Sequence, residues 1–246
     1  MPPIIHVIRH AQGVHNLSLN SHHLLDPELT SLGEEQARAL GAGFPEVENI
    51  QLILSSPLKR AIQTALLGFP AQIEGGLQVL PWPEIQEASA LPCDTGKGLP
   101  DIKAEFQHLP VDFQLVEPDW HIKQDKWANT ASSLLARAQR ARQWLSQRPE
   151  REIVLVSHGC FLHLLTDDWV NAVNPRGYDY QGTDWTNTEV RSFTIARKEG
   201  DEPALCETVE SRTKRGVEHF GVTREQQLEL REQTLHTWLQ WGVISG

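Results

Sequence analysis

The sequence has few cysteines, and their spacing does not suggest a disulfide framework or a metal site. Only three occur in 246 residues, Cys93, Cys160 and Cys206, and they are far apart, odd in number and without a CxxC pair. A disulfide-stapled fold and a zinc site are therefore not expected. Apolar runs are also too short for a membrane span. The first residues, MPP, lead directly into a strand-like segment, so we expect no leader peptide and a cytoplasmic location.

Positive charge is scarce as well. Lys and Arg number 22 against 32 Asp and Glu, which gives a net charge of −10 with His neutral. Nucleic acids and anionic membranes attract clustered Lys and Arg, so neither is expected as a partner. A small anionic substrate stays compatible with this balance, because a local cationic pocket can form in an acidic protein. Hydrophobic residues at 39% and charged residues at 22% are ordinary for a globular protein.

Five short apolar segments predict strands, and helix-like segments lie between them. The strand-like segments are residues 4–8, 51–56, 77–81, 152–157 and 190–196. The helix-like segments are residues 29–44, 57–69 and 129–148. Thr30 is placed as a helix N-cap and Pro57 as a first helical residue. This alternation predicts a three-layer α/β fold with a mainly parallel sheet that is covered by helices on both faces.

Two segments depart from the alternation. Residues 82–128 carry prolines and aromatic side chains without clear periodicity, and they are too long for a plain connection. We interpret them as an insertion that covers the C-terminal edge of the sheet and the substrate, within a single domain of residues 1–246. Residues 211–242 resemble a helical tail that could cover the domain or form an interface. The oligomeric state is therefore open, with a homodimer as one alternative.

Chemically useful side chains follow several of the predicted strands. In an open α/β sheet, ligands bind outside the carboxyl ends of the parallel strands. The side chains at these ends are Arg9, His10, Arg60 and His158, with Glu84 and Glu87 after the third strand. Arginine pairs bidentately with phosphate oxygens, and histidine can act as a covalent nucleophile. A carboxylic acid whose pKa is raised can protonate a leaving oxygen. The set is therefore suited to a phosphoryl dianion.

Four stretches of the chain also carry a resemblance to a known family. They are RHAQGVHN (9–16), LTSLGEEQA (29–37), SSPLKRAIQTA (55–65) and VLVSHGCF (154–161). Together they resemble the histidine phosphatase superfamily, also called phosphoglycerate mutase-like, over residues 4–70 and 150–197. The resemblance implies metal-independent hydrolysis of a small phosphorylated metabolite through a phosphohistidine, with no cofactor.

The resemblance also implies a role for each matching residue. His10 would be the nucleophile, and Arg9, Asn16 and Arg60 would bind the phosphoryl oxygens. His158 would bind them as well and would take part in catalysis by stabilising the charge of the transition state.

The proton donor is implied less directly. The family places its acid in a Leu-x-Glu stretch after the third strand, and Glu87 in Ile85-Gln86-Glu87 fits that pattern better than Glu84 does. Glu84 and Asp94 stay open as alternatives. The residues after the nucleophile also depart from the family, because Ala11 replaces the usual Gly and Gln12 the common Glu. Gln12 and His15 are candidate substrate contacts.

Several functions remain open at this point. The leading hypothesis is a phosphomonoesterase. A phosphoglycerate-type mutase is the alternative among enzymes, but the family's mutases carry a characteristic basic insertion that residues 82–128 do not resemble. A catalytically idle phosphate-binding or scaffold protein belongs to another class, and the pocket could also serve non-phosphate chemistry.

Overall fold

The computed structural model describes residues 3–44, 47–173, 183–197, 202–217 and 222–246. Within these ranges the chain forms one six-stranded sheet. Its strands are β1 (Ile4–Arg9), β2 (Leu52–Ser55), β3 (Val79–Pro81), β4 (Glu152–Ser157), β5 (Val190–Arg197) and β6 (Pro203–Glu207). Their order across the sheet is β3-β2-β4-β1-β5-β6. The first four are parallel neighbours, whereas β5 is antiparallel to β1 and β6 antiparallel to β5. The mainly parallel sheet is confirmed.

Helices follow most of the strands. They are α1 (Ser31–Ala42), α2 (Lys59–Gly68), α3 (Pro70–Glu74), α4 (Leu99–Glu105), α5 (Ala131–Ser146), α6 (Gly159–Thr166), α7 (Val209–Lys214) and α8 (Arg224–Gln240). The Thr30 hydroxyl accepts from the Gly33 N–H at 3.0 Å, so its predicted capping role is confirmed. The prediction for Pro57 is wrong, because α2 begins two residues later. The Asp26 carboxylate accepts from Lys59 N at 2.9 Å and fixes that later start.

The sixth strand has no counterpart among the predicted elements. β6 lies at one edge of the sheet, begins with Pro203, and is buried only over its first three residues. A short edge strand of this kind has neither a long apolar run nor a clear alternation, so its sequence signal is weak. The predicted tail, 211–242, contains the end of α7 and the whole of α8; residues 218–221 within it lie outside the described residues.

Two apolar cores lie on opposite faces of the sheet. Ile5 and Val7 of β1 pack into one core, which includes buried side chains of α5 and α6. Ile8, on the other face of the same strand, packs into the second core with side chains of α1 and α2. Burial on both faces explains why the central strands are apolar without alternation. Trp238 of α8 is fully buried in the first core, so this helix covers the domain.

The segment 82–128 packs on α2 and on the edge strand β3. Five of its buried apolar side chains form a cluster with Leu58 and Ile62: Ile102, Phe106, Phe113, Val116 and Trp120. Backbone hydrogen bonds join Val79 of β3 to Pro110 and Asp112, both at 2.9 Å. The single-domain organisation and the substrate-covering role of this segment stay predictions. Across the described ranges, no helix has the length and apolarity needed to cross a membrane.

Candidate active site

The strand register brings the predicted site residues to one edge of the sheet. Arg9 at the end of β1 pairs with Ser157 at the end of β4. The residues that directly follow these two strands, His10 and His158, are therefore neighbours, and their ring centroids are 5.0 Å apart. Arg60, in the first turn of α2, reaches both rings from the adjacent element.

The ring of His10 is held in one tautomer. Its Nδ1 lies 2.7 Å from the Ala11 carbonyl oxygen and donates to it. Its Nε2 lies 3.2 Å from Arg60 Nε, which can only donate, so Nε2 bears a lone pair. Burial, with the charges of Arg60 and Arg9, holds the pKa of His10 well below its usual range. The imidazole is therefore neutral, with an available lone pair at Nε2.

Arg60 is a fully buried cation whose donors are shared among four groups. Besides His10, it donates from Nη1 to Cys93 O at 2.6 Å and from Nη2 to Asp94 Oδ1 at 2.8 Å. Its Nη2 also lies 3.1 Å from His158 Nδ1. Because guanidinium nitrogens only donate, His158 Nδ1 accepts and the ring proton lies on Nε2. Asp94, weighed above as a proton donor, is thus the ion-pair partner of Arg60.

Several buried polar atoms in this region have no hydrogen-bond partner among the described residues. They include Arg9 Nε, Asn16 Nδ2, His158 Nε2 and His15 Nδ1. Arg9 Nε, Asn16 Nδ2 and His158 Nε2 are donors, and buried donors are almost always paired in folded proteins. The remaining groups of two of these side chains are fixed, since Asn16 Oδ1 accepts from Gly13 N at 3.0 Å and Arg9 Nη1 donates to Trp185 O. Such a set of free donors is suited to binding an anion.

Glu87 lies at the N-terminus of α6, and its carboxylate accepts three backbone N–H groups. Oε1 accepts from Ala88 N at 2.7 Å and from Phe161 N at 2.9 Å, while Oε2 accepts from Cys160 N at 3.3 Å. Burial, together with the nearby Asp94 charge, raises the pKa of Glu87. At the start of the same helix, Thr183 packs closely on Gly159, because a Cβ at Gly159 would lie 2.3 Å from Thr183 Cγ2.

The other carboxylate after β3 points to a different partner. Glu84 forms a bidentate pair with Arg140 of α5, at 3.1 Å from Nε and 3.0 Å from Nη2. Glu87 is hydrogen-bonded to the helix that follows His158, whereas Glu84 is engaged away from it. Within the described residues, no group of three or more His, Cys, Asp or Glu side chains is placed to hold a metal ion.

The two candidate substrate contacts differ in their surroundings. Gln12 Oε1 accepts from the Thr30 hydroxyl at 2.8 Å, which ties this side chain to the start of α1. The same loop touches α1 closely, since a Cβ at Gly33 would lie 2.0 Å from Gln12 O. His15 is buried, with its ring centroid 5.3 Å from that of His10. Contact of either residue with substrate stays a prediction.

Three residues outside the set of candidate site residues support the site through hydrogen bonds. Asn187 Nδ2 donates to His10 O at 2.9 Å, and Trp185 O accepts from Arg9. The Thr64 hydroxyl accepts from Ala11 N at 3.0 Å and donates to Arg60 O at 2.7 Å, which joins the nucleophile loop to α2. Asn187 and Trp185 precede β5 and are remote in sequence, so no local motif identifies them.

Comparisons with known proteins agree with this architecture. Residues 5–206 match the family model of the histidine phosphatase superfamily (branch 1). The chain is 30% identical over 234 residues to Phosphoglycerate mutase-like protein 1 of Arabidopsis thaliana, with 78% of this chain and 80% of that protein covered. It is 27% identical over 163 residues to a probable phosphatase of Schizosaccharomyces pombe, covering 65% of this chain and 76% of that protein.

A solved structure shows the same fold. The ecdysone phosphate phosphatase from Bombix mori, in complex with tungstate, superposes with a TM-score of 0.55 at 16% identity, covering 84% of this chain and 92% of that one. The family match spans most of the chain and includes the segments that carry His10, Arg60 and His158. Because this match covers well over half of the sequence, the chain belongs to the histidine phosphatase superfamily, branch 1, a family that indicates a phosphatase.

Proposed function

We propose that the protein hydrolyses a small-molecule phosphomonoester through a phosphohistidine at His10. The observation that carries the proposal is the set of unpartnered buried donors on Arg9, Asn16 and His158, in a site that also holds a neutral imidazole. A phosphoryl group has three outer oxygens that accept hydrogen bonds, and these donors would supply partners for them.

In the first step, the Nε2 lone pair of His10 attacks phosphorus and the bond from phosphorus to the ester oxygen breaks. Nδ1 keeps its hydrogen bond to Ala11 O, which stabilises the positive charge that develops on the ring. Glu87 starts protonated and gives its proton to the leaving oxygen, so that a neutral alcohol departs. The raised pKa of Glu87 supports this starting state.

In the second step, water attacks the phosphohistidine. Glu87, now a carboxylate, takes a proton from the water, and the bond between phosphorus and Nε2 breaks with its electron pair returning to His10. Inorganic phosphate leaves, and Glu87 is again protonated. Charge on the transferring group is stabilised by Arg9, Arg60 and His158, which are already held in place before substrate binds. No metal ion is part of this proposal.

Phosphate release from p-nitrophenyl phosphate in EDTA tests the proposal. We expect metal-independent activity in the wild type and a loss of about 10³-fold or more in H10A, because no other group would form the covalent intermediate. H108A is the matched control, since His108 is exposed and lies in the segment 82–128. Its activity should equal that of the wild type.

Two results would redirect the proposal. Transfer of phosphate between substrate hydroxyls without release would support the mutase, which residues 82–128 do not favour. Phosphate binding by calorimetry without either reaction would support the idle phosphate-binding protein.

A further inference from the structure

The loop that precedes β5 contacts two residues that the proposed reaction uses. It comprises residues 183–189, and we call it the β5 loop. Trp185 O accepts from Arg9 Nη1, and Asn187 Nδ2 donates to His10 O at 2.9 Å. The Arg9 guanidinium is thereby oriented with its Nε free of any partner among the described residues. The β5 loop therefore bears on both the nucleophile and an arginine proposed to bind phosphate.

The backbone of the β5 loop is strained where it meets β1. Thr188 has a φ of 58°, and a β-branched residue rarely adopts this left-handed conformation. Its N–H donates to Arg9 O at 3.0 Å, and Arg9 N donates to Glu189 O at 3.2 Å. A strained residue keeps such a conformation only when surrounding contacts hold it there. The β5 loop therefore needs an anchor on the side that faces away from Arg9.

Arg191, the second residue of β5, supplies contacts on both sides of Thr188. Its Nε donates to Glu189 Oε1 at 2.6 Å. Its guanidinium carbon lies 3.7 Å from the centroid of the Trp185 ring, the geometry of a cation–π contact. Both Arg191 and Trp185 are buried, and Glu189 Oε2 also accepts from Thr186 N at 2.8 Å. A single guanidinium thus joins the residue whose carbonyl orients Arg9 to the end of the loop.

The charge of Arg191 also balances carboxylates around the β5 loop. Its Nη2 lies 3.8 Å from Asp184 Oδ1, and its Nη1 lies 3.9 Å from Asp168 Oδ2. His163 Nε2 is 3.5 Å from Asp184, but burial lowers the pKa of His163 to about 4, so that ring is neutral in neutral solution. Among the described residues, Arg191 is therefore the cation within ion-pair distance of Asp184. Without it, Asp184 and Glu189 would leave unbalanced negative charge in the loop.

We propose that Arg191 is a positioning residue of the candidate active site, which holds the β5 loop and through it the geometry of Arg9 and His10. The effect on rate rests on the proposed function, whereas the effect on the position of Arg9 rests on the contacts of the loop alone. Arg191 acts through Trp185 and Glu189 and does not itself contact the phosphoryl group. A displacement of about 1 Å at the reacting groups is enough to lower a rate by about 10²-fold.

The position of Arg9 can be measured without substrate. In protein labelled with [¹⁵N]arginine, the Arg9 Nε–H signal is identified by its absence in R9M. We expect R191M to shift this signal or broaden it beyond detection, because Trp185 O no longer holds the guanidinium in one orientation. R148M is the matched control, since Arg148 also stacks on a tryptophan, Trp144, at 4.5 Å and pairs with Glu150 at 2.9 Å. It lies just before β4, at the opposite edge of the sheet, and should leave the Arg9 signal unchanged.

Phosphate release from p-nitrophenyl phosphate measures the consequence for catalysis. We expect R191M to lower kcat/KM by about 30-fold or more and R148M by less than about threefold. In the R9M background, R191M should cost less than about fivefold, because part of its effect passes through Arg9 and is already lost. R191K serves where R191M does not fold, since lysine keeps a cation among the carboxylates. It should give the same changes at smaller size, because lysine lacks the planar group that stacks on Trp185.

An unchanged Arg9 signal in folded R191M would overturn the inference. So would an equal cost of R191M in the wild-type and R9M backgrounds, because a merely structural loss of folded protein is independent of Arg9. Failure of the proposed function has a separate signature, which is that the wild type releases no phosphate. The Arg9 signal then decides the question: a change in R191M that is absent in R148M supports the positioning role, and no change rejects it.

Discussion

Arg60 Nε lies 3.2 Å from His10 Nε2 and donates to the lone pair that the proposed reaction uses. The same guanidinium also contacts His158 and Asp94. A phosphoryl group that enters the site would compete for these donors and release the lone pair toward phosphorus. Arg60 therefore couples the state of the nucleophile to the binding of the anion.

The Arg60–Asp94 pair gives a prediction that separates stability from activity. R60M should lower the free energy of unfolding by about 3–5 kcal/mol, because it leaves the buried Asp94 carboxylate without its cation. The double variant R60M/D94N removes the unpaired charge, so it should recover much of that stability without recovering kcat/KM. Urea unfolding and steady-state kinetics on the same preparations test both parts. Recovery of activity in the double variant would show that Arg60 acts only through the fold.

Glu87 and Glu84 can be distinguished by one pair of substitutions. E87Q should lower kcat by about 10²–10⁴-fold for an alkyl phosphate, whose leaving oxygen needs a proton, and by less for p-nitrophenyl phosphate. E84Q should change either rate by less than about threefold, because Glu84 is paired with Arg140 away from the site. The reverse ranking of the two variants would assign the proton donor to Glu84.

The pH profile of kcat/KM should fall on its alkaline side as Glu87 loses its proton. Burial and the charge of Asp94 raise the pKa of Glu87, while burial, Arg60 and Arg9 keep His10 neutral well below its usual pKa. These opposite shifts widen the pH range over which neutral His10 and protonated Glu87 coexist. Measured on an alkyl phosphate, the fall should be weaker in E87Q than in the wild type, since titration of the substrate is common to both. Identical profiles would contradict the assignment.

Asp26 should make the wild type less stable as pH rises. Burial is the main cause that raises its pKa to about 6, against an unfolded value near 3.9. Between about pH 4 and pH 6 the unfolded chain loses this proton first, so the free energy of unfolding should fall by roughly 2–3 kcal/mol from this group. D26N keeps an acceptor for Lys59 N and tolerates the positive φ of 45° at this position.

Urea unfolding of wild type and D26N across this pH range measures that contribution. The wild type should show the steeper decline in stability, and the two proteins should converge at the acid end, where Asp26 is protonated in both states. Parallel curves would mean that Asp26 titrates normally.

Much of the fold and four residues of the candidate site can be predicted from the sequence. The apolar strands and the Thr30 cap depend on neighbouring residues, so pattern alone predicts them. Arg9, His10, Arg60 and His158 come together because they follow or adjoin the carboxyl ends of parallel strands, which a topology argument anticipates.

The supporting contacts could not be predicted in the same way. Asn187 reaches His10 across 177 positions of sequence, and Asp94 reaches Arg60 across 34. Such contacts depend on how irregular segments fold back onto the sheet. Hydrophobic periodicity in the sequence does not predict that packing.

The central claim is that His10 carries the phosphoryl group, and direct trapping tests it. Radiolabelled p-nitrophenyl phosphate is mixed with E87Q, in which water attack on the intermediate lacks its base, and the quenched protein is digested and mapped. The account predicts an acid-labile, alkali-stable label on the peptide that contains His10, at Nε2, and no label in H10A/E87Q. A label on His15 or His158, or phosphate release without any labelled protein in single-turnover samples, would contradict it.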